Sequence, residues 1–471
     1  MKKHYETHVE DTDKLISVAG PVLDYKSWYE QYRKLMEEQA QRKYGLYTPT
    51  SEGDDDDFPS ITGMIARYSA SGLTNEQMAA NPVWVDKTGN GHDLQMKNFS
   101  WKEGSGISDV YLGALVFDGV DDYGVCDNFP VLTKEKGYTV VALRQYLFNT
   151  TDKIRSLVTN APRSIVSRST LTFELIGSTG KKMNFSFGKG NLVSDFEPNV
   201  FSYMTSKSYN GETITPGDVT ESNERLLVGN FSEKWEYGSN VAIWELVFLD
   251  HDATEEELTK IKDYFVKTYP WLFPDQAWTV TGKTNEDEDR ATIANITGNG
   301  NNLVLSNFGF IEGSGYNEEG EHAGYLVTDG VDDMITSSVF QMGKDFTIVG
   351  DWKFINNKKS GTGLVKGSSF YIYNTRIGLD LYINSGSVKN SLDGIKSINA
   401  ACSDGRAYDR NWNEILANTG NVVGSGGILE VSSSGGRFDR MAFKNLAIYP
   451  RILSKDDCIK AYNYLQTLKA K

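Results

Sequence analysis

From about residue 60 onward, apolar and polar residues alternate in short runs broken by Gly, Asn and Ser turns, the pattern of half-buried β-strands. Residues 138–143, 171–175 and 241–249 are the clearest of these runs. Helical spacing takes over at three places. Residues 252–267 start with Asp252 and an acidic first turn at Glu255, Glu256 and Glu257, and Pro270 ends the segment. Residues 455–468 follow Ser454 in the same way, after Pro450. Residues 25–42 place Trp28, Tyr32, Leu35, Met36 and Gln39 on one face, with Gly45 as the stop. Between this helix and the first strands lie Ser51, Glu52, Gly53 and the self-repelling run Asp54 to Asp57, before Phe58 and Pro59.

The strand pattern occurs twice. Leu-Val-Phe-Asp-Gly-Val-Asp-Asp-Tyr over 115–123 returns as Leu-Val-Thr-Asp-Gly-Val-Asp-Asp-Met over 326–334. Gly72 with Thr74, Asn75 and Glu76 matches Gly282 with Thr284, Asn285 and Glu286, and the Thr-Gly-Asn-Gly of 88–91 returns at 297–300. The order is kept at a spacing of about 210 residues, too long for a solenoid or propeller blade and right for a whole β-sandwich. An apolar run entering Asp118-Gly119 is also the signature of a tight hairpin, since Gly119 can take φ > 0. The motif resembles the F-D-G-x-D-D-Y turn of laminin-G-like domains in the concanavalin A-like jelly-roll superfamily. That resemblance implies a mainly β fold: two tandem concanavalin A-like jelly-roll sandwiches, each closed by a short helix, preceded by a partly helical N-terminal segment. It also implies glycan or protein binding. The expected domains are 1–59, 60–273 and 274–471.

Composition adds little to the fold but narrows the partners. A chain of 471 residues with 39% apolar and 12% aromatic residues supports sizeable cores. A net charge of -15 disfavours nucleic acid and anionic membranes alike. Three cysteines, Cys126, Cys402 and Cys458, show no metal-type spacing, and an odd count reads as buried free thiols. The first residues lack the apolar stretch of a signal peptide, so the expected site of synthesis is a bacterial cytoplasm. The tandem motifs are similar to those of virion proteins from phages of gut Bacteroidetes, which implies a head-fibre, capsid-decoration or tail-associated component.

The sequence carries no recognisable catalytic set. The Glu-x-Asp-x-x-Glu strand of concanavalin-like hydrolases is absent, and His4, His8, His92, His251 and His322 are scattered, so an enzyme is not expected. The stretch 281–284 mimics the end of a phosphate loop, but Ala277 stands where its first glycine belongs. Asp118, Asp121 and Asp122, and their counterparts Asp329, Asp332 and Asp333, have two readings: hairpin-defining turns, which is favoured, or calcium ligands. No other cofactor is expected. Trp101, Trp235, Tyr237, Tyr408 and Trp412 lie in or near expected loops and are the glycan-stacking candidates. The Trp28 face either packs on its own domain or binds a partner. The expected partners are further copies of the chain, capsid or tail proteins, and glycans. The alternative is a bacterial carbohydrate-binding or carbohydrate-processing protein.

Overall fold

Among the described residues, the alternating runs form four antiparallel sheets of eight strands each, plus a two-stranded ribbon. Strands between Met64 and Leu249 build two of the large sheets, and strands between Gln276 and Tyr449 build the other two. The computed structural model describes residues 57–470, apart from 148–153, 161–169, 197–199, 233–237, 342, 356–361, 368–369, 375–377, 384–387, 394–396, 417–425, 432, 435–436 and 439. The residues from Asp57 onward make one compact unit. The expected helix over 25–42, with its Trp28, Tyr32, Leu35 and Met36 face, lies outside the described residues.

Each pair of sheets closes on a core of its own. Leu115, Phe117, Val140, Ala142 and Phe248 face Leu157, Phe173, Leu226 and Val228 in the first sandwich. Trp278, Leu326, Ile348, Leu446 and Ile448 join Leu303, Leu305, Ile335 and Val431 in the second. One sheet in each sandwich is apolar on both faces, because side chains alternate in direction along a strand. Val116, Val141 and Leu143 point away from the first core, and Val349, Ala447 and Tyr449 away from the second. This explains why residues 241–249 read as a nearly continuous apolar run rather than a clean alternation.

The outward faces meet in a third apolar layer. It receives Ile261 and Phe265 from helix α2 (Glu255–Thr268) and Cys458, Ala461 and Leu465 from helix α3 (Lys455–Thr467). A shorter helix, α1 (Asn75–Ala80), precedes both in the chain. Trp271 and Leu272, in the 3-10 turn Pro270–Leu272 between the sandwiches, belong to the same layer. The Tyr449 hydroxyl donates to the Trp271 carbonyl at 2.8 Å, tying the linker to the second sandwich. All three cysteines are buried free thiols.

At the front of the unit, the strand Met64–Ser69 pairs antiparallel with Asn240–Leu249. Arg67 fastens it. Its Nε donates to Glu245 Oε2 at 3.1 Å and its Nη2 to the Tyr264 hydroxyl at 2.9 Å, while the guanidinium lies 4.1 Å from the Phe58 ring centre.

The two copies agree down to single bonds. Asn75 Oδ1 accepts from the Ile107 N-H at 2.7 Å, and Asn285 Oδ1 accepts from the Tyr316 N-H at 2.8 Å. Asn98 and Asn307 both adopt positive φ, 69° and 67°, and each Nδ2 donates at 3.0 Å to a carbonyl of the acidic turn, Asp121 O and Asp332 O.

Candidate functional site

The acidic turns are built from their own backbone. Asp118 Oδ1 accepts from the N-H groups of Val120 at 2.7 Å and Asp121 at 3.3 Å, and the Asp118 N-H donates to Asp122 Oδ2 at 3.0 Å. The second copy repeats this at 2.7, 3.4 and 2.8 Å around Asp329 and Asp333. Gly119 and Gly330 sit at φ 81° and 75°, and a Cβ on Gly119 would fall 2.7 Å from the Asn240 Cβ. Side-chain oxygens of each aspartate trio come within 4.8 Å of one another, which gives a cation a geometric foothold. Several of those oxygens are already engaged with turn N-H groups, as a hairpin requires.

The copies differ at the buried aspartate. The Ser314 hydroxyl donates to Asp333 Oδ1 at 3.1 Å, whereas the Ser105 hydroxyl, at the corresponding position, lies close enough to favour the charged Asp122 carboxyl but falls short of a well-formed hydrogen bond to its Oδ1. Burial pushes the Asp122 carboxyl up to about 7, with the Asp118 and Asp121 charges adding to the shift and the Asp118 N-H and the Ser105 hydroxyl opposing it. The same causes push Asp333 up to about 6.

The aromatic candidates fare differently. Trp235 and Tyr237 lie outside the described residues. Tyr408 is a correction: it is only 1% exposed, packed into the layer between the sandwiches, and offers no sugar platform. Trp412 is half-buried, edge-on to Tyr462 at 5.6 Å. Trp101 stacks on Phe99 at 4.8 Å and packs against the first core, as the equivalent turn residue Phe310 does against the second. A tryptophan in a polar, Gly-rich stretch reads as exposed, but these turns fold back over the sandwich ends.

Sequence reasoning missed a cleft of about 1820 Å³ between the two sandwiches. One wall carries Tyr111, Gln145, Phe201, Tyr203 and Lys262, and the other carries Arg451, Tyr464, Gln466 and Lys469. Gln145 Nε2 donates to the Thr467 hydroxyl at 3.3 Å across the junction. Gln145 Oε1 and Gln466 Nε2 are buried and have no hydrogen-bond partner. Arg451 donates through Nη1 to the Pro270 and Phe273 carbonyls at 3.2 and 3.4 Å, and no described carboxylate pairs with it. Burial pulls its guanidinium below the usual arginine range.

Arg144, Lys182 and Asp195 also line the cleft, but their charges are matched. Arg144 makes a buried fork to Glu174, at 2.8 Å from Nε and 2.6 Å from Nη2, and Lys182 pairs with Asp195. Tyr146 and Tyr209 hydroxyls also donate to Glu174, at 3.1 and 2.9 Å. Burial first, then the Glu174 charge, raises both phenols far above their ordinary range. This carboxylate therefore holds structure at a strained backbone position, φ 55°, and is closed to a substrate. The His251 ring likewise bonds to the carboxylates of Asp250 and Glu257, each at 3.2 Å.

No family model matches the chain, and no curated protein matches it. Among solved structures, Trypanosoma rangeli sialidase is similar at 12% identity over 51% of this chain and 39% of that one, with a TM-score of 0.32. A mutant of that sialidase displaying trans-sialidase activity is similar at 9% identity over 65% and 50%, with a TM-score of 0.32. A point mutant of HCR/D is similar at 9% identity over 84% of this chain and 98% of that one, with a TM-score of 0.33. The chain spans 39% of the length of the first sialidase. Likenesses this distant do not identify a function, which has to come from the site itself.

Proposed function

We propose that the chain is a non-enzymatic structural protein of a phage virion, a head fibre, capsid decoration or tail-associated component. It displays two lectin-like sandwiches that contact host or environmental glycans, while residues 1–59 attach it to the particle or to further copies of itself. The observation that carries this reading is the use made of the charged side chains. Asp118, Glu174, Glu245, Glu257 and His251 bond to turn N-H groups, buried arginine and tyrosine, and a helix cap, which is the economy of a scaffold rather than of a catalyst. The cleft supports the glycan part, because it combines aromatic walls with amide groups of both hydrogen-bonding senses.

The same cleft also suits a bacterial carbohydrate-binding protein, the second reading. Mass spectrometry of purified particles separates the two. The chain is expected among the virion proteins at stoichiometric abundance. Its absence from particles, combined with retention on a specific polysaccharide, would favour the bacterial protein.

A further inference from the structure

We propose that Cys402 and Cys458 are a modification site, where hydrogen peroxide joins the two thiols in a disulfide that staples α3 to the strand Ala400–Cys402 of the second sandwich. The site belongs to the fastening of that sandwich and does not depend on the glycan or virion reading above.

Two observations carry it. The first is placement. Cys402 ends a strand that pairs with Thr347–Phe354, Cys458 lies one turn into α3, and both are 0% exposed in the layer between the sandwiches. The Cys402 sulfur stands 3.6 Å from the Thr347 hydroxyl oxygen and 3.9 Å from the Leu453 carbonyl oxygen. Leu453 leads directly into the Ser454 cap, whose carbonyl accepts from the Cys458 N-H at 2.9 Å. The two thiols thereby lie close enough for one to stabilise the charged form of the other. Cys126, by contrast, lies in the first core and donates to Asn128 Oδ1 at 3.1 Å.

The second observation is the contrast between the copies. Thr139 and Thr347 each donate to a carbonyl, His251 O at 2.7 Å and Arg451 O at 2.9 Å, so the residues paired with them, Thr205 and Cys402, are equivalent. Leu258 and Cys458 likewise both bond back to a helix cap, Thr254 O at 3.1 Å and Ser454 O at 2.9 Å. The first sandwich thus folds with neither cysteine, whereas the second carries two of the chain's three cysteines at these two positions. A buried thiol can serve as a small apolar side chain, but Thr and Leu fill that role in the other copy.

Cys402 is the attacking thiol. The Cys458 thiol beside it, helped by Thr347, outweighs burial and draws Cys402 below the usual thiol range, whereas Cys402 and burial together push Cys458 above it. The Cys402 thiolate attacks one oxygen of hydrogen peroxide. The O–O bond breaks, and the hydroxide released takes the thiol proton and leaves as water. The Cys458 sulfur then attacks the sulfenic acid on Cys402: the S–S bond forms, the S–O bond breaks, and the departing hydroxide takes the Cys458 proton as a second water. Two thiols give up two electrons and two protons in all, and one peroxide becomes two waters. Hydrogen peroxide is little larger than water and reaches the buried pair through local opening of α3.

The test treats the full chain with hydrogen peroxide, removes the excess with catalase and titrates thiols in denaturant. The count is expected to fall from three to one and to recover with dithiothreitol. A non-reduced digest should contain one cross-linked pair, Cys402 with Cys458, and the oxidised protein should melt at least about 5 °C higher than the reduced one. Cys126→Ser should link as the parent does. In Cys458→Ala, dimedone should label Cys402, because nothing resolves its sulfenic acid. Three thiols left after treatment, a loss that dithiothreitol does not reverse, or a link through Cys126 or between two chains would overturn the site. Dimedone labelling of Cys458 in Cys402→Ala, with none of Cys402 in Cys458→Ala, would overturn Cys402 as the attacking thiol. An unchanged or lower melting temperature after linking would overturn the staple.

Discussion

Asp122 is a carboxyl held where its charge is unfavourable, and this has a definite sign in stability. Its carboxyl rises from an ordinary 3.8 to about 7 on folding. Between those values the folded state binds the additional proton, so stability falls as pH rises from about 4 to about 7 and levels off above that. Asp122→Asn keeps an oxygen for the Asp118 N-H and removes the charge. The variant should melt higher than the parent at pH 8, by an amount worth roughly 2–4 kcal/mol at most, and show no such advantage at pH 4, as thermal melts across that range would reveal. Calcium or a chelator should move neither protein. A calcium-dependent rise in melting temperature that vanishes in Asp121→Asn or Asp332→Asn would instead make these turns ion sites. The turn itself was legible because Asp-Gly chemistry is local. The burial of Asp122 was not, since nothing in the adjacent letters Asp121 and Asp122 says which of the two carboxyls turns inward.

At the scale of elements, the starts of α2 and α3 were readable, because a cap is a pattern of three or four adjacent residues, whereas α1, with its own capping box of Thr74 and Gln77, was not read as a helix. Thr254 and Glu257 form a reciprocal capping box on α2, and Ser454 accepts from the Asp457 N-H on α3. His251 adds a longer reach, joining the end of the Asn240–Leu249 strand to Glu257. Burial opposes ionisation of Glu257, but the Thr254 groups and His251 outweigh it and hold the carboxyl below its usual range. Burial also opposes charge on His251, and Asp250 and Glu257 outweigh it to raise the imidazole. Glu257 contributes above the ordinary carboxylate value and loses its contribution as pH falls through its lowered one. His251 contributes below the ordinary imidazole value and loses its contribution as pH rises through its raised one. The clasp is therefore strongest near pH 5.5. His251→Ala should lower the melting temperature at pH 5.5 and have a much smaller effect at pH 9; an equal drop at both would mean that His251 acts by packing alone.

For the whole molecule, the duplication was plain in the letters, whereas the way the copies join was not. Gln145 and Thr467 meet across 322 residues of sequence, and no periodicity within one copy announces a wall shared by two. The outward apolar face of each doubly buried sheet was visible only as a run too hydrophobic for a solvated strand. Trp271 stands at the centre of that junction, 6% exposed, with the Lys460 ammonium 4.2 Å from its ring centre. Trp271→Ala should remove roughly 3–5 kcal/mol and turn one cooperative unfolding transition in calorimetry into two, because each sandwich keeps a core of its own. Two transitions already present in the parent protein would show that the shared layer does not couple them.

The strand Met64–Ser69 has a mechanical consequence. It lies antiparallel along the far half of Asn240–Leu249, with Met64 opposite Leu249 and Ser69 opposite Glu245. A tug on Asp57 along the strand axis loads the rungs of this ladder side by side, in shear, so they must fail together rather than be peeled away in turn. Arg67, pinned to Glu245 and Tyr264, acts as a rivet in the same joint. A body tethered through the residues before Asp57 would thus be gripped by the strongest geometry a β-sheet can offer to a pulling force, and would bear drag without unravelling from its front.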